Sequence, residues 1–316
     1  MTLAWLAVAG CAGCVMTGAA NGSQGGTGTS GSANVVIGTH VERAAPEPEK
    51  EKCRGDLEKG SVTYSVESLF AEVARDRAEM VQAFLACGMS AGVVGADDWT
   101  LLHEAAKNGS DRTVRLFLDV HADVNARTTP YRTTPLMSAA GNGHASTAGA
   151  LLAGGAEVDA ETTQGWTALT LAAQGDSVDT IRVLLAAHAD VNHRDKEKKT
   201  PLLWYFNRPN MRAPEVLEAL IAAGADVNAV PEDGQTALVA LLSAWMGMLD
   251  KPEAAQMAKP RSEIACLLLR AGASPDLKNA DGASANSLLK KLGFADAASF
   301  RGKGCALPAK MPKRAR

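Results

Sequence analysis

With 316 residues and 46% hydrophobic content, the chain is long enough for one or two packed domains on a prior of about 150 residues per domain. Only 4% of residues are aromatic, and Ala and Leu dominate the apolar set, which favours close helix–helix packing over an aromatic-rich sandwich or barrel. The 32 basic and 35 acidic residues leave a net charge of -3. That balance gives no footprint for nucleic acid, and no apolar run reaches the length of a membrane-spanning helix.

Residues 1–17 read as an export segment. No Asp, Glu, Lys or Arg occurs between Met1 and Val41, and Leu3 to Val15 is apolar and small. Within it, Val8-Ala9-Gly10-Cys11 resembles the lipobox of bacterial lipoproteins, which implies lipidation of Cys11. Small residues before the Cys would let an extended chain enter the processing peptidase. The segment departs from that family in having no basic residue before a short apolar run. Either the natural start lies upstream or this is a plain secretory signal; a disordered Ala/Gly-rich N-terminus is the third reading. Residues 18–61 read as a flexible linker, Gly/Ser-rich at first and then charged from Glu42 to Lys59, where Pro46 and Pro48 would stiffen it. A tether of about 40 residues would span roughly 30–40 Å.

A repeat occupies residues 62–298. Thr100-Leu101-Leu102-His103, Thr134-Pro135-Leu136, Thr167-Ala168-Leu169, Thr200-Pro201-Leu202 and Thr236-Ala237-Leu238 recur in register. A second anchor follows each: His121-Ala-Asp-Val-Asn125, Gly155-Ala-Glu-Val-Asp159, His188-Ala-Asp-Val-Asn192, Gly224-Ala-Asp-Val-Asn228 and Gly272-Ala-Ser-Pro-Asp276. Gly88 and Ser284 extend the register, giving one degenerate unit at each end and about seven units in all. These residues resemble the ankyrin repeat, whose period is about 33 and whose motif is Thr-Pro-Leu-His-x-Ala. The resemblance implies an all-α solenoid of helix–turn–helix units with β-hairpin-like fingers.

The physics of one unit agrees. Thr caps the first helix, Pro135 and Pro201 occupy its first position, and Ala pairs allow close approach of the two helices. Gly155, Gly224 and Gly272 end the second helix in a left-handed turn, with His121 and His188 in the same slot. No unit can bury its apolar face alone, so neighbours stack. Three extra residues fall near Arg208-Pro209-Asn210. A longer insertion, about 246–260, lies between the helices of the last clear unit and reads as a surface loop. Residues 299–316 read as a basic tail, with Arg301, Lys303, Lys310, Lys313, Arg314 and Arg316 and no acid.

Cys53 with Cys87, and Cys266 with Cys305, could each staple an end of an exported array. Connectivity is not readable from sequence, and the helical patterns around Cys87 and Cys266 equally suit buried free thiols. The spacing of His188, Asp190, His193 and Asp195 invites a metal reading, but the register puts them in a turn and finger. No nucleophile elbow, phosphate loop or zinc-protease spacing occurs. No cofactor, metal or catalytic residue is therefore expected, and the chain is not expected to be an enzyme.

What remains is a binding surface for another protein. In the resembled family, partners lie against finger tips and the exposed face of the first helices. The corresponding positions here are Trp99, Tyr131, Arg132, Gln164, Trp166, Lys196, Lys199 and Gln235 on the fingers. On the helices they are Lys107, Asn108, Asn142, Gln174, Asn207 and Arg208. Trp99 and Trp166 stand out, since Trp, Tyr and Arg dominate interface energetics; packing of each ring on its neighbouring finger is the competing reading. The expectation is an exported, lipid-tethered monomeric scaffold in the periplasm or at a membrane, or else secreted. A cytosolic or host-directed effector, and an enzyme using the inserted loop, are the alternatives.

Overall fold

The computed structural model describes residues 35–37, 40–42, 47–59, 63–207, 214–247, 254–302 and 305. The segment read as an export signal, with Cys11, and Arg208 and the end of the basic tail lie outside them. Two short antiparallel strands, β1 (Val35–Ile37) and β2 (His40–Glu42), pair with Val36 opposite Val41. Helix α1 (Glu47–Lys59) follows. Then come seven helix pairs: α2 (Val66–Ala74) and α3 (Ala78–Ala86); α4 (Leu101–Asn108) and α5 (Asp111–Asp119); α6 (Pro135–Gly141) and α7 (Ala145–Ala153); α8 (Ala168–Gln174) and α9 (Val178–Ala186); α10 (Pro201–Phe206) and α11 (Pro214–Ala222); α12 (Ala237–Met246) and α13 (Ala254–Arg270); α14 (Ala285–Lys291) and α15 (Ala297–Gly302). First helices pack on first helices and second on second, so the array has two layers around one continuous core.

The local chemistry of each unit follows the motif. The hydroxyls of Thr100, Thr134, Thr167 and Ser284 accept from the backbone N–H three residues on, at 3.2–3.3 Å. Thr200 and Thr236 start their helices in the same extended conformation, but their buried hydroxyls make no cap bond. These are the two units that carry extra residues, so the departure in length coincides with a departure in capping. His121 and His188 take the left-handed conformation, at φ 57° and 62°, where other units use Gly.

Three expectations need correction. The charged stretch read as linker is helical from Glu47: Pro48 lies in the first turn, where a missing N–H costs nothing, and the Glu/Lys run after it propagates a helix well. The insertion is not simply a loop, because Ala254–Pro260 forms the start of α13, with Pro260 inside it and Arg261 and Ser262 buried. The basic tail does not begin at residue 299. Ala297 and Phe300, three apart on one helix face, are buried, and Phe300 meets Phe294 edge-on at 4.7 Å. The array therefore runs through α15.

The four Cys of the described residues are paired, Cys53 with Cys87 and Cys266 with Cys305. One bond joins α1 to the end of α3; the other joins α13 to Cys305 just beyond α15.

Polar side chains tie each unit to the next. The amide of Asn125 donates to Gly155 O at 3.2 Å and accepts from Glu157 N at 2.8 Å. Asn192 repeats this with Gly224 O and Asp226 N at 3.0 and 2.7 Å, and Asn228 with Gly272 O and Ser274 N at 3.0 and 2.7 Å. Asp159, a carboxylate in the same slot, accepts from Asp190 N at 3.0 Å. Each amide thus meets a carbonyl and an N–H of the turn that follows the next unit's second helix, backbone groups outside the helical ladder. Asn192→Ala removes both bonds at once. It should lower the unfolding free energy by about 1–2 kcal/mol, read as a fall in the urea midpoint with unchanged slope.

Candidate functional site

Successive fingers are joined edge to edge by backbone bonds. Thr129 N donates to Asp97 O at 2.8 Å, Thr163 N to Tyr131 O at 2.9 Å, Lys196 N to Gln164 O at 3.1 Å, Glu232 N to Glu197 O at 3.1 Å and Ala280 N to Asp233 O at 3.3 Å. Gly165, at φ 80°, makes one such approach possible: a Cβ there would stand 3.0 Å from the Cα of Asp195. Because the tips hold one another, side chains on them are presented by a continuous edge rather than by separate loops.

At the N-terminal end of this edge, three of the sequence-predicted residues, Trp99, Lys107 and Asn108, come together. Glu104 on α4 accepts from the indole N–H of Trp99 at 2.9 Å and from the amide of Asn108 at 2.8 Å. Lys107 Nζ lies 5.9 Å from the Trp99 ring centre, and the His103 ring lies 5.0 Å from it on another side. Asp98 accepts from the Thr129 hydroxyl at 2.9 Å, binding this finger to the one that carries Tyr131 and Arg132. Tyr131 is 49% exposed, one of three large apolar side chains that are exposed among the described residues. Arg132 beside it is exposed, in a left-handed conformation that throws the tip outward. Trp99 is half-buried, Asn108 and Asn142 are exposed, and the Asn142 amide donates to Ser138 O at 2.8 Å.

Trp166 has a different setting. Its indole N–H donates to Asp195 Oδ2 at 3.1 Å, the Trp204 N–H donates to the same oxygen at 2.7 Å, and the two rings meet edge-on at 4.8 Å. The other carboxylate oxygen of Asp195 accepts from Glu197 N and Lys199 N at 2.9 and 2.8 Å. Lys199 leans over Trp204 at 5.0 Å and bonds Glu197 at 2.7 Å. Trp166 and Lys199 are therefore bound into the packing of two adjoining fingers, while Gln164 and Lys196 project from them, exposed. Gln174 and Gln235 are half-buried and Asn207 is exposed at the end of α10. Asp195 and Trp204 went unread as a pair because the aspartate looks like one more finger charge in sequence. The run Trp204-Tyr205-Phe206, whose last two residues replace the Ala pair of the sister units, was the available signal.

Three histidines, His103, His144 and His193, serve the scaffold. His103 Nε2 faces Thr133 O at 2.9 Å and its Nδ1 faces Thr100 N at 3.2 Å, an arrangement that suits the neutral ring protonated on Nε2. His144 bonds Lys107 O and His193 bonds Gly165 O, at 2.9 and 3.0 Å. Among the described residues no His, Cys, Asp and Glu cluster with the geometry to hold a metal ion.

The period, the capped helix pairs, the left-handed turns and the joined fingers are matched at family level: a family model for ankyrin repeats, in three copies, covers residues 69–162 and 142–231, just over half of the chain. The chain belongs to the ankyrin repeat family. A comparison with curated proteins found no match. The ankyrin repeats make it a protein–protein interaction scaffold, and in the structure the helix pairs continue past the matched residues to α15.

Burial holds the His103 imidazole below its ordinary range, and the Thr133 carbonyl and the charge of Asp123 oppose that only in part. The unfolded chain binds this proton at about pH 6.5, above the folded state. The stabilising contribution is therefore present above the unfolded value and is lost as pH falls through it towards the folded one. Urea midpoints should drop between about pH 7 and 5, and the drop should shrink in His103→Gln.

Proposed function

We propose that the partner protein binds the N-terminal half of the finger edge, centred on Tyr131 and Arg132 with Trp99, Lys107, Asn108 and Asn142 around them. The observation that carries this reading is the exposed Tyr131 ring beside an exposed Arg, on a finger fixed on both sides by backbone bonds. An aromatic and a guanidinium held in place lose little conformational freedom on binding and are the types that anchor interfaces. Gln164, Lys196, Gln174, Asn207, Gln235 and, on the register alone, Arg208 extend the surface as its rim. The scaffold works as a monomer.

Tagged wild-type chain and the Tyr131→Ala/Arg132→Ala variant, used in parallel for affinity capture from the native cell, test the surface. Recovery of the specific partner should fall at least about tenfold, the loss of a single strong anchor, with the urea midpoint unchanged. Equal recovery would sink this surface.

The same reading places the chain outside the cytosol, tethered through lipid on Cys11. The lipobox-like Val8-Ala9-Gly10-Cys11 supports the tether, and two disulfides suit an oxidising compartment. Metabolic labelling with a fatty-acid analogue should mark the wild-type chain and not Cys11→Ser; label retained in the variant, or none in either, removes the tether.

A further inference from the structure

The two disulfides differ in what they hold and in how they can be reached. Cys266 and Cys305 are 7% and 6% exposed, between α13 and the residues after α15, where Phe294 and Phe300 are also buried. At the other end Cys87 is fully buried, but Cys53 is half-buried on the outward helix α1. A surface cavity of about 430 Å³ opens on that bond, lined by Lys52, Cys53, Asp56, Leu57, Ala83 and Cys87.

Helix α1 offers little apolar surface to the array. Besides Cys53, the one large apolar side chain among its thirteen residues is Leu57; most of the rest are charged. Arg54 lies over the Tyr64 ring at 5.0 Å, and the Lys50 stem passes over Gly88. The Arg54 Nε is buried without a hydrogen-bond partner. Tyr64 itself belongs to the array: its hydroxyl donates to Cys87 O at 3.0 Å and its ring stacks on Phe84 at 5.6 Å. The array thus keeps its own end closed, while α1 lies on top, held by that covalent bond together with side-chain contacts such as Leu57 against the core and Arg54 over Tyr64.

We propose that Cys53–Cys87 is a thiol–disulfide exchange site, opened by a dithiol reductant, and that its opening releases α1 from the array while Cys266–Cys305 stays closed. A thiolate of the dithiol enters the cavity and attacks Cys53 Sγ. The Cys53–Cys87 bond breaks, a mixed disulfide forms on Cys53, and Cys87 leaves as a thiolate that takes a proton. The second thiolate of the reductant then attacks its own sulfur in the mixed disulfide. Cys53 leaves as a thiolate and is protonated, and the reductant departs as its cyclic disulfide, having given two electrons. Exchange rates follow access and the charge beside the sulfurs; Lys52 and Asp56 put opposite charges at the cavity wall, so access is what sets this bond apart.

The test uses the oxidised full-length chain under native conditions with limiting dithiothreitol. Samples are quenched with an alkylating reagent over time, and each Cys is followed by peptide mass spectrometry. Cys53 and Cys87 should be alkylated at least about tenfold faster than Cys266 and Cys305, since access controls exchange. Hydrogen exchange on the same samples should show amides 47–59 losing protection while those of 101–206 keep it. In unreduced Cys53→Ser, amides 47–59 should already be unprotected with the array intact. Equal or reversed alkylation rates overturn the exchange site. Protection of 47–59 that survives reduction or the Cys53→Ser substitution overturns the release.

Discussion

The interface between neighbouring units is the constraint on which the rest of the structure depends. A pair of helices 7 and 9 residues long, such as α6 and α7, is too short to be stable alone, and its apolar face stays wet until another pair covers it. Ala139, Ala140, Ala172 and Ala173 are fully buried, so the first helices approach closely across successive units. The amides of Asn125, Asn192 and Asn228 sit on the opposite side of the same junctions and satisfy helix-end groups of the next unit. Apolar contact supplies the driving force there. The amides fix the angle at which it is made, because a slipped neighbour would leave a carbonyl and an N–H unpaired.

That junction also explains what can vary. Residues that touch only their own unit's exterior are free, which is why Tyr131, Arg132, Gln164 and Lys196 share no chemistry while the backbone bonds beneath them recur with little change. It explains the tolerance of extra residues between the two helices of a unit, since the first helix and the finger still find their neighbours. The irregular units show the cost: Thr200 and Thr236 keep the start position but lose the cap bond. In the first of them Trp204, Tyr205 and Phe206 fill space that Ser138, Ala139 and Ala140 occupy elsewhere. The Trp204 indole then needs an acceptor, and Asp195 on the finger supplies it.

Much of this was legible in the chain because the repeat itself averages out local ambiguity. Five Thr-x-Leu positions in register outweigh any one segment's propensity, so the helix pairs, the left-handed turn at His121 and His188 and the fingers could be read before the fold was seen. Outside the repeat that support is absent. Glu47–Lys59 carries Pro48 and dense charge, and those residues alone do not say whether Pro48 interrupts a helix or begins one. The register likewise could not separate Trp99 from Trp166. Both precede the motif Thr, but the acceptor for Trp99 is Glu104, five residues on, whereas Trp166 reaches Asp195 in the next finger. A side chain's position in a repeat tells which edge it stands on; whether it is used for packing or left for a partner depends on what the following unit offers it.

The ends of the array follow from the same argument with one neighbour missing. An end unit has an uncovered face, and the two ends solve the problem differently. At the C-terminus, Phe294, Ala297 and Phe300 turn α15 inward and the covalent bond closes over an apolar contact that already exists. At the N-terminus Tyr64 and Phe84 stack to close the end, and the helix laid over them contributes mainly charged side chains. A cap whose residues bury little apolar surface adds little to the stability of what it covers. Its attachment through a half-buried sulfur therefore makes the N-terminal end a place where the array can change its outline without disturbing a junction between units.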